Sequence, residues 1–133
     1  MVKGADVNGQ GGKYGNALQA ASFHGNQAMV KLLLENGANI NAQGGIYGQA
    51  LQAAIHGNHK PIVNLLLKEG ADVNMQGGED ENALQAASSL GYERIARLLL
   101  ERGANVNGHG ECYGSPLQAG SVSGNEEIVK LLW

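Results

Sequence analysis

The phrase Gly-Ala-Asp/Asn-Val/Ile-Asn occurs four times, at Gly4, Gly37, Gly70 and Gly103, and every interval is 33 residues. A fixed period of this size means that each unit is one supersecondary motif, which buries its apolar face only against its neighbours. The chain divides into repeats 4–36, 37–69, 70–102 and 103–133, forming a single array over residues 1–133. Such an array offers an extended surface and no central pocket, which directs the search for function towards binding.

Within repeat 1, Asn16-Ala17-Leu18-Gln19 has the form of a helix start. Asn16 can accept a backbone N–H as N-cap, while Gln19, three residues on, reaches back. The same form recurs at 49–52, 82–85 and 115–118, and Pro116 takes the first helical position, where its missing donor costs nothing. A short helix should stop near Gly25 in a left-handed turn. A second helix follows through Met29, Val30, Leu33 and Leu34, whose spacing gives a one-sided apolar stripe. It ends before Gly37, and the chain then enters a glycine-rich, hairpin-like finger (Gly11-Gly12, Gly44-Gly45, Gly77-Gly78). Repeat 2 carries its turn glycine one place early, at Gly57, leaving Asn58 in phase with Gly25. Asparagine is the best substitute for glycine in the left-handed region, so the period is kept.

These features resemble the ankyrin repeat, a unit of 33 residues built as a finger followed by two antiparallel helices. The resemblance covers essentially the whole chain and is carried by Gly70-Ala71-Asp72-Val73-Asn74 and by the second-helix runs Ile62 to Leu67 and Ile95 to Leu100. It implies an all-α fold, an α-solenoid. The helix start departs from the family's Thr-Pro-Leu-His, and Gln-Gly-Gly-x-Tyr-Gly replaces its usual finger. This Asn-Ala-Leu-Gln-Ala-Ala dialect is similar to the arrays of filamentous fungi that form the recognition region of NACHT-type (NLR-like) receptors.

Several function classes drop out. With nine basic and twelve acidic side chains the formal net charge is −3, and no Lys/Arg cluster could neutralise a run of phosphates, so nucleic acid is not expected as a ligand. No apolar run approaches the length needed to span a membrane. The single cysteine, Cys112, forms no internal disulfide, which fits an intracellular, cytoplasmic setting. His56 and His59 are separated by a turn, lack further ligands and are read as surface histidines, and His109, Glu111 and Cys112 have no matching set on other fingers, so neither group is expected to hold a metal. Cys112 lacks the desolvated pocket and partnered base of a nucleophile. No phosphate-cradling motif accompanies the glycines. The chain is read as a non-enzyme without a cofactor.

The Gln19, Gln52, Gln85, Gln118 row is accounted for by capping boxes, and the Asn8, Asn41, Asn74, Asn107 row by the turns leaving the second helices. Gly11, Leu18, Gln19, Ala20, Leu32 and Leu33 recur in all four copies, as parts that must stack. The positions that vary are the finger tips, Lys13, Tyr14, Ile46, Tyr47, Glu79, Asp80, Cys112 and Tyr113. The ends of the first helices vary too, with Phe23, His24, Ile55, His56, Ser89, Leu90 and Val122. The resemblance implies that these two sets line one concave groove that binds a protein or peptide. Exposed Phe23, Ile46 and Ile55 would form its apolar ridge, and the acidic run Glu79-Asp80-Glu81 would favour a basic patch on the partner. The tyrosines either anchor a partner or brace neighbouring fingers, and sequence alone cannot orient the rings.

Neither end carries a polar capping repeat, so the chain reads as a slice of a longer array, or as a small protein that associates end to end. Trp133, in phase with Leu34, Leu67 and Leu100, is expected to cover part of the open end. The alternative to an interaction module is a structural spacer, or a consensus-like engineered scaffold, without a dedicated ligand.

Overall fold

A computed structural model describes residues 6–76, 82–107 and 114–133. Among them are eight helices and only isolated two-residue bridges: α1 (Ala17–His24), α2 (Gln27–Glu35), α3 (Ala50–His56), α4 (Lys60–Lys68), α5 (Ala83–Leu90), α6 (Glu93–Glu101), α7 (Pro116–Ser123) and α8 (Glu126–Leu132). The first helices begin at 17, 50, 83 and 116, so the sequence period is also the structural one. The fold is an all-α repeat solenoid.

Capping explains where these helices start. The Asn16 Oδ1 accepts from the Gln19 N–H at 2.9 Å, and the Gln19 Oε1 accepts from the Asn16 N–H at 2.7 Å. Asn82 with Gln85 and Ser115 with Gln118 form the same reciprocal box. Repeat 2 departs from the expected pattern. Gln49 occupies the N-cap of α3 but makes no capping bond, because its side chain is one methylene too long to fold back as asparagine does. Its Nε2 instead donates to the Met75 carbonyl at 3.5 Å.

Gly25, Gly91 and Gly124 end α1, α5 and α7 in the left-handed conformation. In repeat 2 that conformation belongs to Asn58, at φ 61°, while Gly57 is right-handed at φ −80°. The period is therefore unbroken at the turn, and Gly57 must be explained by something other than its dihedral angles.

Packing follows the alanine content. Each first helix lies against its successor, α1 on α3, α3 on α5 and α5 on α7, through Ala50, Ala53, Ala54, Ala83, Ala86, Ala87 and Ala119, all essentially inaccessible. Small side chains allow this close approach. The second helices lie behind and close the core with Val30, Leu33, Ile62, Val63, Leu66, Ile95, Leu99 and Ile128. Two expected core contributors differ. Met29 and Leu32 are partly exposed, although Ile62, Ile95 and Ile128 in the phase of Met29 are buried. Trp133 is 92% exposed and covers nothing, unlike Leu34, Leu67 and Leu100, which pack against the core.

Candidate recognition surface

Each described finger is a minimal hairpin. The Gly11 N–H donates to the Gly15 carbonyl at 2.7 Å, and the Gly44 N–H to that of Gly48 at 2.8 Å. Gly12 and Gly45 supply the positive φ the turn needs. The second finger hangs on the first through the Ile46 N–H, which donates to the Lys13 carbonyl at 3.0 Å. This bond sets the spacing between the tip residues.

The angle between the fingers and the first helices is filled by rings. Phe23, from the end of α1, packs against both Tyr14 and Tyr47, with centroids at 5.2 and 5.0 Å and planes inclined by 25° and 14°. Tyr14 and Tyr47 are 6.4 Å apart. The His56 imidazole continues the stack on Tyr47 at 4.7 Å, while His24 meets Tyr14 and Phe23 edge-on at 5.2 and 5.3 Å. Lys13 places its Nζ over the Tyr14 ring, 5.5 Å from the centroid. Burial among these rings pushes the Tyr47 phenol above its ordinary value, and the Tyr14 phenol adds to the effect. The rings brace the two fingers against α1 and α3, and their half-buried edges form part of the outer surface.

The structure brings together Lys13, Tyr14, Phe23, His24, Ile46, Tyr47 and His56, with Ile46 48% exposed. Farther along, Ser89, Leu90 and Val122 end α5 and α7. Leu90 is partly exposed and Val122 is 72% exposed. Ile55 is a correction. Expected as an exposed ridge residue, it is completely buried, because its true counterparts one period to either side are Ser22 and Ser88, also 0% exposed. The residues in phase with Phe23 are His56, Ser89 and Val122, so Ile55 points into the stack of first helices. Glu79, Asp80, Cys112 and Tyr113 lie outside the described residues, as does His109.

His59 was expected as a surface histidine. It is half-buried, with its Nε2 2.8 Å from the Phe23 carbonyl and its ring wedged between two glycines. A Cβ at Gly25 would lie 2.8 Å from Nδ1, and one at Gly57 would lie 2.6 Å from Cδ2. Gly57 is therefore a spatial requirement, set first by the Phe23 carbonyl oxygen and then by the His59 ring. The available signal was that position 59 is in phase with Asn26 and Asn125, which cap α2 and α8, and that His59 abandons this cap for a contact with the preceding repeat.

The polar rows join repeats as well as capping them. The Gln19 Nε2 donates to the carbonyls of Gly44 and Gly48 at 2.8 and 3.1 Å, and Gln85 does the same to Gly114. The asparagine row repeats one stitch. Asn41 Nδ2 donates to the Gly70 carbonyl at 3.4 Å, and its Oδ1 accepts from the Asp72 N–H at 2.9 Å. Asn8 and Asn74 make the same pair of bonds. These donors and acceptors are committed to the scaffold.

Among the described residues no three His, Cys, Asp or Glu side chains group as metal ligands would. No helix of the described residues is long and apolar enough to cross a membrane. A family model described as ankyrin repeats (3 copies) matches residues 50–133, and one described as ankyrin repeats (many copies) matches residues 17–67. No curated protein matches the chain at a significant level.

Proposed function

The chain belongs to the ankyrin-repeat family, whose members are in general non-enzymatic protein-interaction modules, and we propose that this one binds a protein or peptide across its fingers and first-helix ends. The observation that carries this reading is the junction of repeats 1 and 2. There five rings, a lysine and an exposed isoleucine share one preorganised surface whose shape is locked by mutual stacking. Rigid aromatic residues contribute contact area at low entropic cost. Leu90 and Val122 extend the surface towards repeats 3 and 4. The finger-tip residues Glu79, Asp80, Cys112 and Tyr113, outside the described residues, belong to the proposed surface by their phase in the sequence. On its dialect and single cysteine, we place the module inside the cell, as the sensing part of a larger fungal receptor-like protein.

The test is comparative capture from an extract of the source organism, with the native chain and a Tyr14→Ala/Ile46→Ser variant whose thermal unfolding has been measured. Loss of a specific partner with the folded variant supports the surface. Equal capture by both baits returns the chain to the spacer reading. A second reading, association of copies end to end, is favoured by the partial exposure of Met29 and Leu32. Sedimentation of wild type against Met29→Lys/Leu32→Lys decides it.

A further inference from the structure

We infer that the junction of repeats 1 and 2 takes an acidic peptide segment, an assignment that rests on the recognition reading above and gives it a partner chemistry. The argument starts from what stacking leaves over. An aromatic ring is negative on its faces and positive at its edge. Phe23 packs against both Tyr14 and Tyr47, which lie side by side, and His56 packs on Tyr47, so each ring spends part of its face on a neighbour, and the Tyr14 ring already carries the Lys13 ammonium. A partner cation therefore finds the Tyr14 ring already paired with Lys13, while an acceptor finds ring edges, the exposed His24 imidazole and the ammonium itself.

The distribution of charge points the same way. Although the whole chain carries a formal charge of −3, every described carboxylate lies away from this layer. Glu35, Glu69, Glu93, Glu101, Glu126 and Glu127 sit on the second helices or their ends, and Asp6 and Asp72 sit in the turns that precede the fingers. The two described fingers and the four first helices hold no carboxylate, and their one permanent cation is Lys13. Among the described residues, a charge-mixed outer face is thus separated from an inner face that is locally positive beside Tyr14. A partner presenting carboxylates between apolar residues would match Lys13 and His24 while its apolar residues met Ile46 and the ring edges. The acidic run 79–81 lies outside the described residues and takes no part in this argument.

The experiment is a selection from a random-peptide library on the intact chain. It is followed by fluorescence polarisation of one enriched peptide against wild type, Lys13→Glu and His24→Gln. Lys13 and His24 are exposed, so neither change threatens the fold. Enriched peptides should carry net negative charge, and replacing their Glu/Asp by Gln/Asn should abolish binding. Lys13→Glu should weaken it about tenfold or more, and added salt should weaken wild-type binding. Enrichment of basic or neutral peptides, no enrichment, or indifference to Lys13→Glu overturns the inference. If the inference alone is wrong, partner capture still depends on Tyr14 and Ile46. If the recognition reading is wrong, that dependence is missing too.

Discussion

Gly57→Ala sets two effects against each other, and the structure says which should win. Residue 57 ends α3 at φ −80°, ψ −7°, where alanine is comfortable. On backbone grounds the change should stabilise the protein by about 0.4–1 kcal/mol, because it reduces the freedom of the unfolded chain. The new Cβ, however, would lie 2.6 Å from Cδ2 of His59 and closer still to the Phe23 carbonyl oxygen. Overpacking of this kind costs about 1–3 kcal/mol. Displacing the ring also endangers its 2.8 Å bond to Phe23, a hydrogen bond worth about 0.5–1.5 kcal/mol. The steric side prevails, with an expected net loss of about 1–3 kcal/mol. For a chain of this length that lowers Tm by roughly 3–5 °C per kcal/mol.

The assay is thermal and urea unfolding of Gly57→Ala, His59→Asn and the double variant. Asparagine at 59 restores the residue type that caps α2 and α8, so His59→Asn should fold. With the imidazole gone, the ring half of the clash disappears, and the cost of Gly57→Ala should fall by about 1 kcal/mol, a coupling expected of side chains in contact. A rise in Tm for Gly57→Ala, or an equal penalty in both backgrounds, would refute the reasoning that the His59 ring shares in the requirement for this glycine.

Three further outcomes can be checked. Ser88 is fully buried and its hydroxyl has no hydrogen-bond partner among the described residues, so Ser88→Ala should stabilise the protein by about 1 kcal/mol, read as a higher urea midpoint at constant m value. Asn41→Ala removes both ends of one inter-repeat stitch; it should cost about 1–2 kcal/mol, and the Asp72 amide, which Asn41 accepts from at 2.9 Å, should show faster hydrogen exchange. In a spectrophotometric titration Tyr47 should ionise above its ordinary value of 10.0, and Tyr47→Phe should delete that late component. Because the folded value is raised, the contribution to stability is complete below pH 10 and is lost as pH climbs through the folded value.

What the sequence revealed and what it hid divide along a physical line. A period compares residues that occupy the same local environment, so everything decided within one repeat could be read from it. The caps at Asn16, Asn82 and Ser115, the left-handed turns and the tolerance of Asn58 at φ 61° all follow from local backbone needs that each copy meets in the same way. The period is weaker where a side chain is decided by the neighbouring copy. Ile55 looked like an exposed residue from its place beside His56 at the helix end; the phase of Ser22 and Ser88 would have sent it inward. His59 looked like one of a pair of surface histidines because its partner, the Phe23 carbonyl, is 36 residues earlier. The tyrosines could be counted but not oriented, since their geometry depends on Phe23 packing against both of them from the end of a helix. The candidate site is assembled almost entirely from contacts of this second kind. Its residue types recur with the repeat, yet its chemistry, with stacked faces hidden and edges presented beside Lys13, exists only where two particular repeats meet. Replacing Phe23 by the serine that repeat 3 carries in phase, Ser89, would keep every local rule of the repeat and still dismantle the surface.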